Sequence, residues 1–159
     1  MGSQLITNFA YIAGFLDGDG SLMFQIKNRS DNQSGWRLMM TICFYQDSRN
    51  DIPIQWIKNQ LKIGYLSKRK DGITELRING YKQIYRVISL LIPFIKFKKY
   101  QAKAMLKASK ILIKTRSNKL SDIQKKEIID LIMIIQKNNY ATRKKKSREE
   151  LELLIGLTP

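Results

Sequence analysis

The segment Ile12-Ala13-Gly14-Phe15-Leu16-Asp17-Gly18-Asp19-Gly20, followed by the run Ser21 to Arg29, sets the reading of this chain. Phe9, Ile12, Ala13 and Leu16 recur at helical spacing, so Asn8 to Asp19 is predicted to be a helix, with Thr7 or Asn8 as its cap and Gly20 as its stop. Gly14 and Gly18 lie four residues apart on one face of that helix. Each costs about 1 kcal/mol relative to alanine in a helix interior, a cost that a closely packed neighbour would justify. Asp19 falls at the helix C-terminus, where the macrodipole disfavours an acid unless a cation stands nearby. A calcium loop is excluded. Counted from Asp17, an EF-hand needs Gly sixth and Glu twelfth, and the chain has Leu22 and Asn28 there.

Outward from this segment the hydrophobic period changes to two. Leu22, Phe24 and Ile26 alternate with Met23, Gln25, Lys27 and Arg29, and after the polar connection Ser30 to Gly35 a second strand runs from Trp36 to Gln46. Its inward set is Leu38, Met40, Ile42 and Phe44, and its outward set Arg37, Met39, Thr41 and Cys43. Asp51 and Pro53 open a second helix bearing Ile54, Ile57 and Leu61. Tyr65 to Lys70 and Ile73 to Asn79 flank Asp71-Gly72, a dipeptide suited to a tight hairpin, with Leu66, Leu76 and Ile78 inward. The remainder is helical: Tyr81 to Ile92, Lys99 to Lys114, and two helices opened by the capping boxes Ser121-x-x-Gln124 and Ser147-x-x-Glu150. The expected class is α+β, a four-stranded antiparallel sheet with helices on one face. Residues 1–141 form the domain and 142–159 a basic C-terminal extension with a short helix.

Composition narrows the chemistry. The 159 residues include 29 Lys+Arg, 13 Asp+Glu, one Cys and no His, for a formal net charge of +16. Without imidazole there is no Ser-His-Asp or Cys-His catalysis and no histidine metal site. Cys43 alone makes neither an intrachain disulfide nor a thiolate cluster. Val87 to Ile95 is too short to cross a bilayer, which needs about 20 residues, so a soluble protein with no membrane partner is expected. The charge excess is most simply matched by a polyanion. From Leu76 to Ser121 there are twelve Lys/Arg and no acid, and Arg143 to Arg148 holds five basic residues in six positions.

By alternation the outward sheet face carries Gln25, Lys27, Arg29, Arg37, Tyr65, Ser67, Arg69, Glu75 and Arg77. Long polar and cationic side chains of this kind suit base edges and phosphates, since Arg pairs with guanine, Gln pairs with adenine and a β-ribbon fits the major groove. Any one of them could belong to an ordinary solvated face. A common bias over four strands weakens that reading and favours a nucleic acid as partner.

The nonapeptide with Ser21 and its alternating strand resembles the signature of the LAGLIDADG homing endonucleases. The order of helix, two strands, helix, two strands and helices is similar too, and Pro93 to Lys99 resembles the segment bearing that family's active-site lysine. The motif occurs once, which resembles the single-motif, homodimeric branch.

The resemblance implies an αββαββα fold with a saddle-shaped sheet, dimerised through the motif helix, with Ala13, Gly14, Leu16, Asp17 and Gly18 at the interface. It implies double-stranded DNA as the partner, and that each Asp19 reaches a scissile phosphate and, with the Gly18 carbonyl, holds Mg²⁺. It also implies that Gln46 positions water and Lys98 supports transition-state charge. Arg49 is the candidate for a basic residue after the Gln, although strict spacing would fall on Asn50 or Asp51. Asp17 is expected to hydrogen-bond backbone at the helix end, and Arg143, Lys144 and Lys145 to grip phosphates.

The implied activity is an Mg-dependent endodeoxyribonuclease making a site-specific staggered double-strand break with 3′ overhangs in a long, roughly palindromic target, promoting intron mobility. An intron RNA maturase and a non-catalytic DNA-binding regulator are alternatives on the same scaffold. Richness in Lys, Ile and Asn suggests an AT-rich genome, and no secretory signal or Arg- and Ser-rich presequence is visible; the resemblance implies an organellar genome, chloroplast or mitochondrion, or a microbial cytoplasm, and no secretion.

Overall fold

Period-two alternation of apolar side chains becomes one antiparallel sheet whose inner face is roofed by helices. The computed structural model describes residues 2–31, 33–142 and 144–158. In chain order the elements are α1 (Ser3–Asp19), β1 (Gly20–Asn28), β2 (Trp36–Asp47), α2 (Ile52–Leu61), β3 (Tyr65–Lys68), β4 (Ile73–Asn79), α3 (Tyr81–Leu91), α4 (Lys99–Lys114), α5 (Asp122–Asn138) and α6 (Arg148–Leu154). The strands are ordered β1-β2-β4-β3. Leu22 faces Ile42 across β1 and β2, Ile42 faces Ile78 across β2 and β4, and Leu66 faces Leu76 across β3 and β4. The three strands that carry Leu22, Ile42, Leu76 and Ile78 bury them completely, together with Ile12, Leu16, Ile57 and Ile88 from the helices above.

The junction between α1 and β1 needs its glycine. A Cβ on Gly20 would lie 2.6 Å from Leu16 Cδ1 and 2.9 Å from the Leu16 Cα, so only a residue without a side chain lets the helix turn so sharply into the strand. Gly64 meets a similar limit, with φ +91° and only 2.9 Å between a built Cβ and the carbonyl oxygen of Arg77.

Besides one-residue shifts at the ends of β2 (Asp47, not Gln46) and α3 (Leu91, not Ile92), three boundaries differ from expectation. α1 begins at Ser3 with Gly2 as its N-cap, not at Thr7 or Asn8. Nothing from Ser3 to Ile6 breaks a helix, and the two expected caps serve elsewhere: Thr7 Oγ1 donates back to the Ser3 carbonyl and Asn8 Nδ2 donates to Gln60 Oε1 at 2.9 Å. β1 stops at Asn28, so Arg29 belongs to the connection, its N–H donating to the Gly35 carbonyl. β3 stops at Lys68, leaving Arg69 and Lys70 to the hairpin turn, where Gly72 has φ +82°. Both expected capping boxes are formed, Ser121 with Gln124 and Ser147 with Glu150.

The C-terminal segment is seated in the main core. α6 packs on α5 and β1, and Leu151, Ile155 and Leu157 are buried in the same apolar cluster as the sheet. Arg148 adds an ion pair to Asp130 on α5. Leu151→Ala should therefore destabilise the protein by about 2–5 kcal/mol, the usual cost of emptying a leucine site. Chemical denaturation checks this, and a loss below about 1 kcal/mol would mean that α6 is not part of the cooperative fold.

Candidate active site

An acid at the C-terminal end of a helix is electrostatically misplaced, and the way the chain answers this builds the site. The buried carboxylate of Asp17 turns toward the segment before α4, where it accepts from three successive backbone N–H groups: Lys96 at 2.6 Å, Phe97 at 3.2 Å and Lys98 at 2.9 Å. The Lys98 ammonium reaches back and donates to the Asp17 carbonyl at 2.5 Å. A lysine thus satisfies one of the carbonyls that a helix end leaves without an intrahelical partner. Burial pushes the Lys98 ammonium below the ordinary lysine range, and the charges of Asp17 and Asp19 partly restore it.

Two residues on, the Asp19 side chain is exposed. Among the described residues it takes no hydrogen bond or ion pair, and Lys98 is the cation that feels its charge. Gly14 and Gly18 are exposed on α1, and a Cβ at either would meet nothing within 4 Å. Their face is therefore open on this chain. Ala13 and Leu16, expected at an interface, are instead fully buried in the chain's own core, because they share the face of α1 that carries Ile12. Asp17, expected there too, is occupied by the 96–98 backbone. The open face is formed by Tyr11, Gly14 and Gly18.

The sequence relationships agree with this geometry. The profile described as LAGLIDADG endonuclease matches residues 12–111, from the motif helix into α4. The chain belongs to the LAGLIDADG endonuclease family. It is 30% identical over 108 residues to the DNA endonuclease I-CvuI of Chlorella vulgaris, covering 68% of this chain and 67% of that protein. To the DNA endonuclease I-CreI of Chlamydomonas reinhardtii it is 26% identical over 148 residues, 93% of this chain and 89% of that one. The crystal structure of I-CvuI in complex with its target in the presence of Ca superposes with a TM-score of 0.86 at 22% identity, covering 99% of this chain and 100% of that one, and so shares the fold.

Within this LAGLIDADG chain the other expected site residues take distinct positions. Gln46 lies near the end of β2 opposite Thr74, half-buried, its Oε1 accepting from the Asp47 N–H at 2.9 Å. Arg49 is held by Asp47, donating from Nε at 3.0 Å and Nη2 at 2.7 Å, and its guanidinium keeps the Asp47 carboxyl down at about 2. A hard, oxygen-only donor set fits Mg²⁺ or Ca²⁺. Yet among the described residues no three acidic, Cys or His side chains converge, so one chain offers Asp19 and the Gly18 carbonyl and no full coordination shell.

The outer face of the sheet holds the cationic set. Lys27 and Arg37 are direct cross-strand partners, both exposed, an arrangement of like charges that is unfavourable until an anion lies over it. Glu75 is nearly buried beneath two arginines, accepting from Arg69 Nη1 and Arg77 Nη1 at 3.0 Å each. It is therefore engaged with the protein and not free to meet a base. Arg69 also pairs with Asp71, and Arg29 with Asp31. Gln25 is half-buried, while Lys144 and Lys145 are exposed; Arg143 lies outside the described residues.

Several polar groups on this face escaped the sequence reading. Thr41 and Cys43 are buried although they point to the outer side. Thr41 Oγ1 donates to Asn79 Oδ1 at 2.7 Å, and Asn79 Nδ2 donates to the hydroxyl of Tyr65 at 3.3 Å. Tyr45 bonds Ser21, and extending the β2 alternation one step past Cys43 would have placed it there. Asn139 Nδ2 donates to the Leu22 carbonyl on the edge strand, a long-range contact with no local signal.

Because Asp17 ties the motif helix to three N–H groups, Asp17→Asn should cost about 1–3 kcal/mol, as an amide nitrogen replaces one charged acceptor. Thermal unfolding of the two proteins checks it, and equal stability would show that the clamp is inessential.

Proposed function

We propose that this protein is a homing endonuclease that works as a homodimer on double-stranded DNA. It makes a site-specific, staggered double-strand break with 3′ overhangs in a long, roughly palindromic target and so promotes intron mobility. The observation that carries the reading is the meeting, at one end of α1, of the exposed Asp19 carboxylate with the buried Lys98 ammonium. A second copy packed on Tyr11, Gly14 and Gly18 would cover an open face and bring a second Asp19 alongside the first.

Asp19 and the Gly18 carbonyl of each copy would hold Mg²⁺, which when bound polarises the phosphate and activates water. The remaining work falls to the chain. Lys98, desolvated and held by Asp17, presents positive charge where the phosphate oxygens gain negative charge. Gln46 keeps its amide nitrogen available to orient water. The outer sheet face lies in the major groove, with Gln25, Lys27, Arg37, Arg69 and Arg77 toward base edges, Tyr65 and Ser67 beside them, and Lys144 and Lys145 on phosphates. Among the described residues no helix is long and apolar enough to cross a membrane. We place the gene in an organellar or microbial genome, consistent with relatives in two green algae.

Asp19→Asn should abolish Mg²⁺-dependent cleavage while leaving DNA binding intact, scored by gel on duplexes spanning candidate intronless insertion sites. Unaltered cleavage by that variant would sink the reading. The pH profile gives a second check. Lys98 acts as an ammonium and its proton is held less tightly than in a free lysine, so the cleavage rate should fall on the alkaline side at a pH below the ordinary lysine value of 10.5. In Lys98→Arg that alkaline fall should disappear, since a guanidinium stays charged.

A further inference from the structure

Beside the Asp19 end of α1 lies a hollow of about 240 Å³ whose wall includes Ser21, Tyr45, Lys98, Asn139 and Thr142. It has room for a phosphate group with a few waters, at roughly 30 Å³ per water. Two of these residues are paired. Gly20 faces Phe44 and Ser21 faces Cys43 in the β1–β2 ladder, so Tyr45 comes one step beyond the ladder, where the chain leaves Asp19. The hydroxyls of Ser21 and Tyr45 are 2.8 Å apart. Two hydroxyls carry two hydrogens, and one is used between them whichever oxygen donates. The other stands between the Cys43 thiol, a weak acceptor, and the hollow, where an anionic oxygen would be the stronger one.

Burial pushes the Tyr45 phenol up to about 12, the Ser21 bond opposing it, so the pair keeps both hydrogens throughout the physiological range. Lys98 supplies the positive charge on the same wall, and its Nζ is already fixed on the Asp17 carbonyl. A spare oriented O–H next to a desolvated ammonium suits an anionic oxygen. None of the roles implied by the family resemblance uses either hydroxyl.

We propose that the Ser21–Tyr45 hydroxyl pair positions the reacting phosphate, donating its free hydrogen to a non-bridging oxygen of the phosphate that Asp19 addresses. This rests on the endonuclease reading above and adds two residues to it. The two act as one donor, since removing either hydroxyl leaves the other without its fixed orientation.

The test uses the full chain and a duplex that the wild-type protein cuts. Tyr45→Phe keeps the ring and removes the hydroxyl, Ser21→Ala removes the partner, and the double variant removes both. Single-turnover cleavage is measured with saturating enzyme, DNA affinity without divalent cation, and stability by thermal unfolding. Each single variant should cut roughly 10- to 100-fold more slowly, the loss expected for one hydrogen bond to a charged group, with affinity and melting temperature nearly unchanged. The double variant should be no slower than the slower single, because the two losses are the same loss. Sulfur in place of the contacted non-bridging oxygen should slow the wild type more than it slows Tyr45→Phe. Cleavage by Tyr45→Phe at the wild-type rate, losses that multiply in the double variant, or an equal sulfur effect in both proteins would each overturn the proposal. A wild-type protein that cuts DNA and is silenced by Asp19→Asn yet untouched by Tyr45→Phe sinks this inference alone. A wild-type protein that cuts no DNA removes the endonuclease reading and this inference with it.

Discussion

The carboxylate of Asp17 joins the end of the motif helix to the turn that begins α4, and the site exists because of that joint. Three backbone N–H groups from residues 96–98 converge on it, and the side chain that follows them, Lys98, returns a bond to the Asp17 carbonyl. Each half of this exchange stabilises the other. The N–H groups make a buried carboxylate tolerable, and the ammonium quiets the negative end of α1. Asp19, two residues further on, is thereby freed from pairing within its own helix and left facing outward with a cation close behind it.

Much of the fold was legible because alternation and capping are local. Spacing identifies most inward residues of β1, β2 and β4, missing Trp36 and Thr74, and both Ser-initiated capping boxes form as their sequence indicates. The N-terminal turn of α1 was missed because no residue before Thr7 forbids a helix, and a plausible cap at Thr7 masked the continuation to Ser3. The site was legible only in part. Asp17 was expected to bond backbone, but its partners lie about eighty residues away, and spacing carries no information about them. Membership of the motif puts Ala13 and Leu16 at an interface; their burial against the chain's own sheet depends on how α1 rolls over that sheet. Thr41 and Cys43 point outward as their alternation implies, yet neighbouring side chains cover them.

The outer sheet face is less uniformly positive than its residue types suggest. Glu75 and Asp71 hold Arg69, Glu75 holds Arg77, and Asp31 holds Arg29. These pairs fix long side chains in defined orientations and remove part of the rotamer freedom that binding would otherwise have to remove. Among the described residues Lys27 and Arg37 form no ion pair, although Asp31 feels the charge of Arg37, and they face each other across the ladder. Orientation is thus built into Arg29, Arg69 and Arg77, and unspent attraction into the Lys27–Arg37 pair.

The docking of α6 bears on the segment between it and α5. That segment is held at one side by Asn139 on the Leu22 carbonyl and at the other by Leu151 in the core, and the Lys146 N–H donates to Gln136 Oε1 between them. Its described residues are therefore anchored on both sides, where a free basic tail would have to be reeled in from a wide ensemble. An anion settling on Lys144 and Lys145 meets lysines one and two residues from the Lys146 anchor, so less chain entropy is left to lose there than in a free tail and more of each charge contact remains as net affinity.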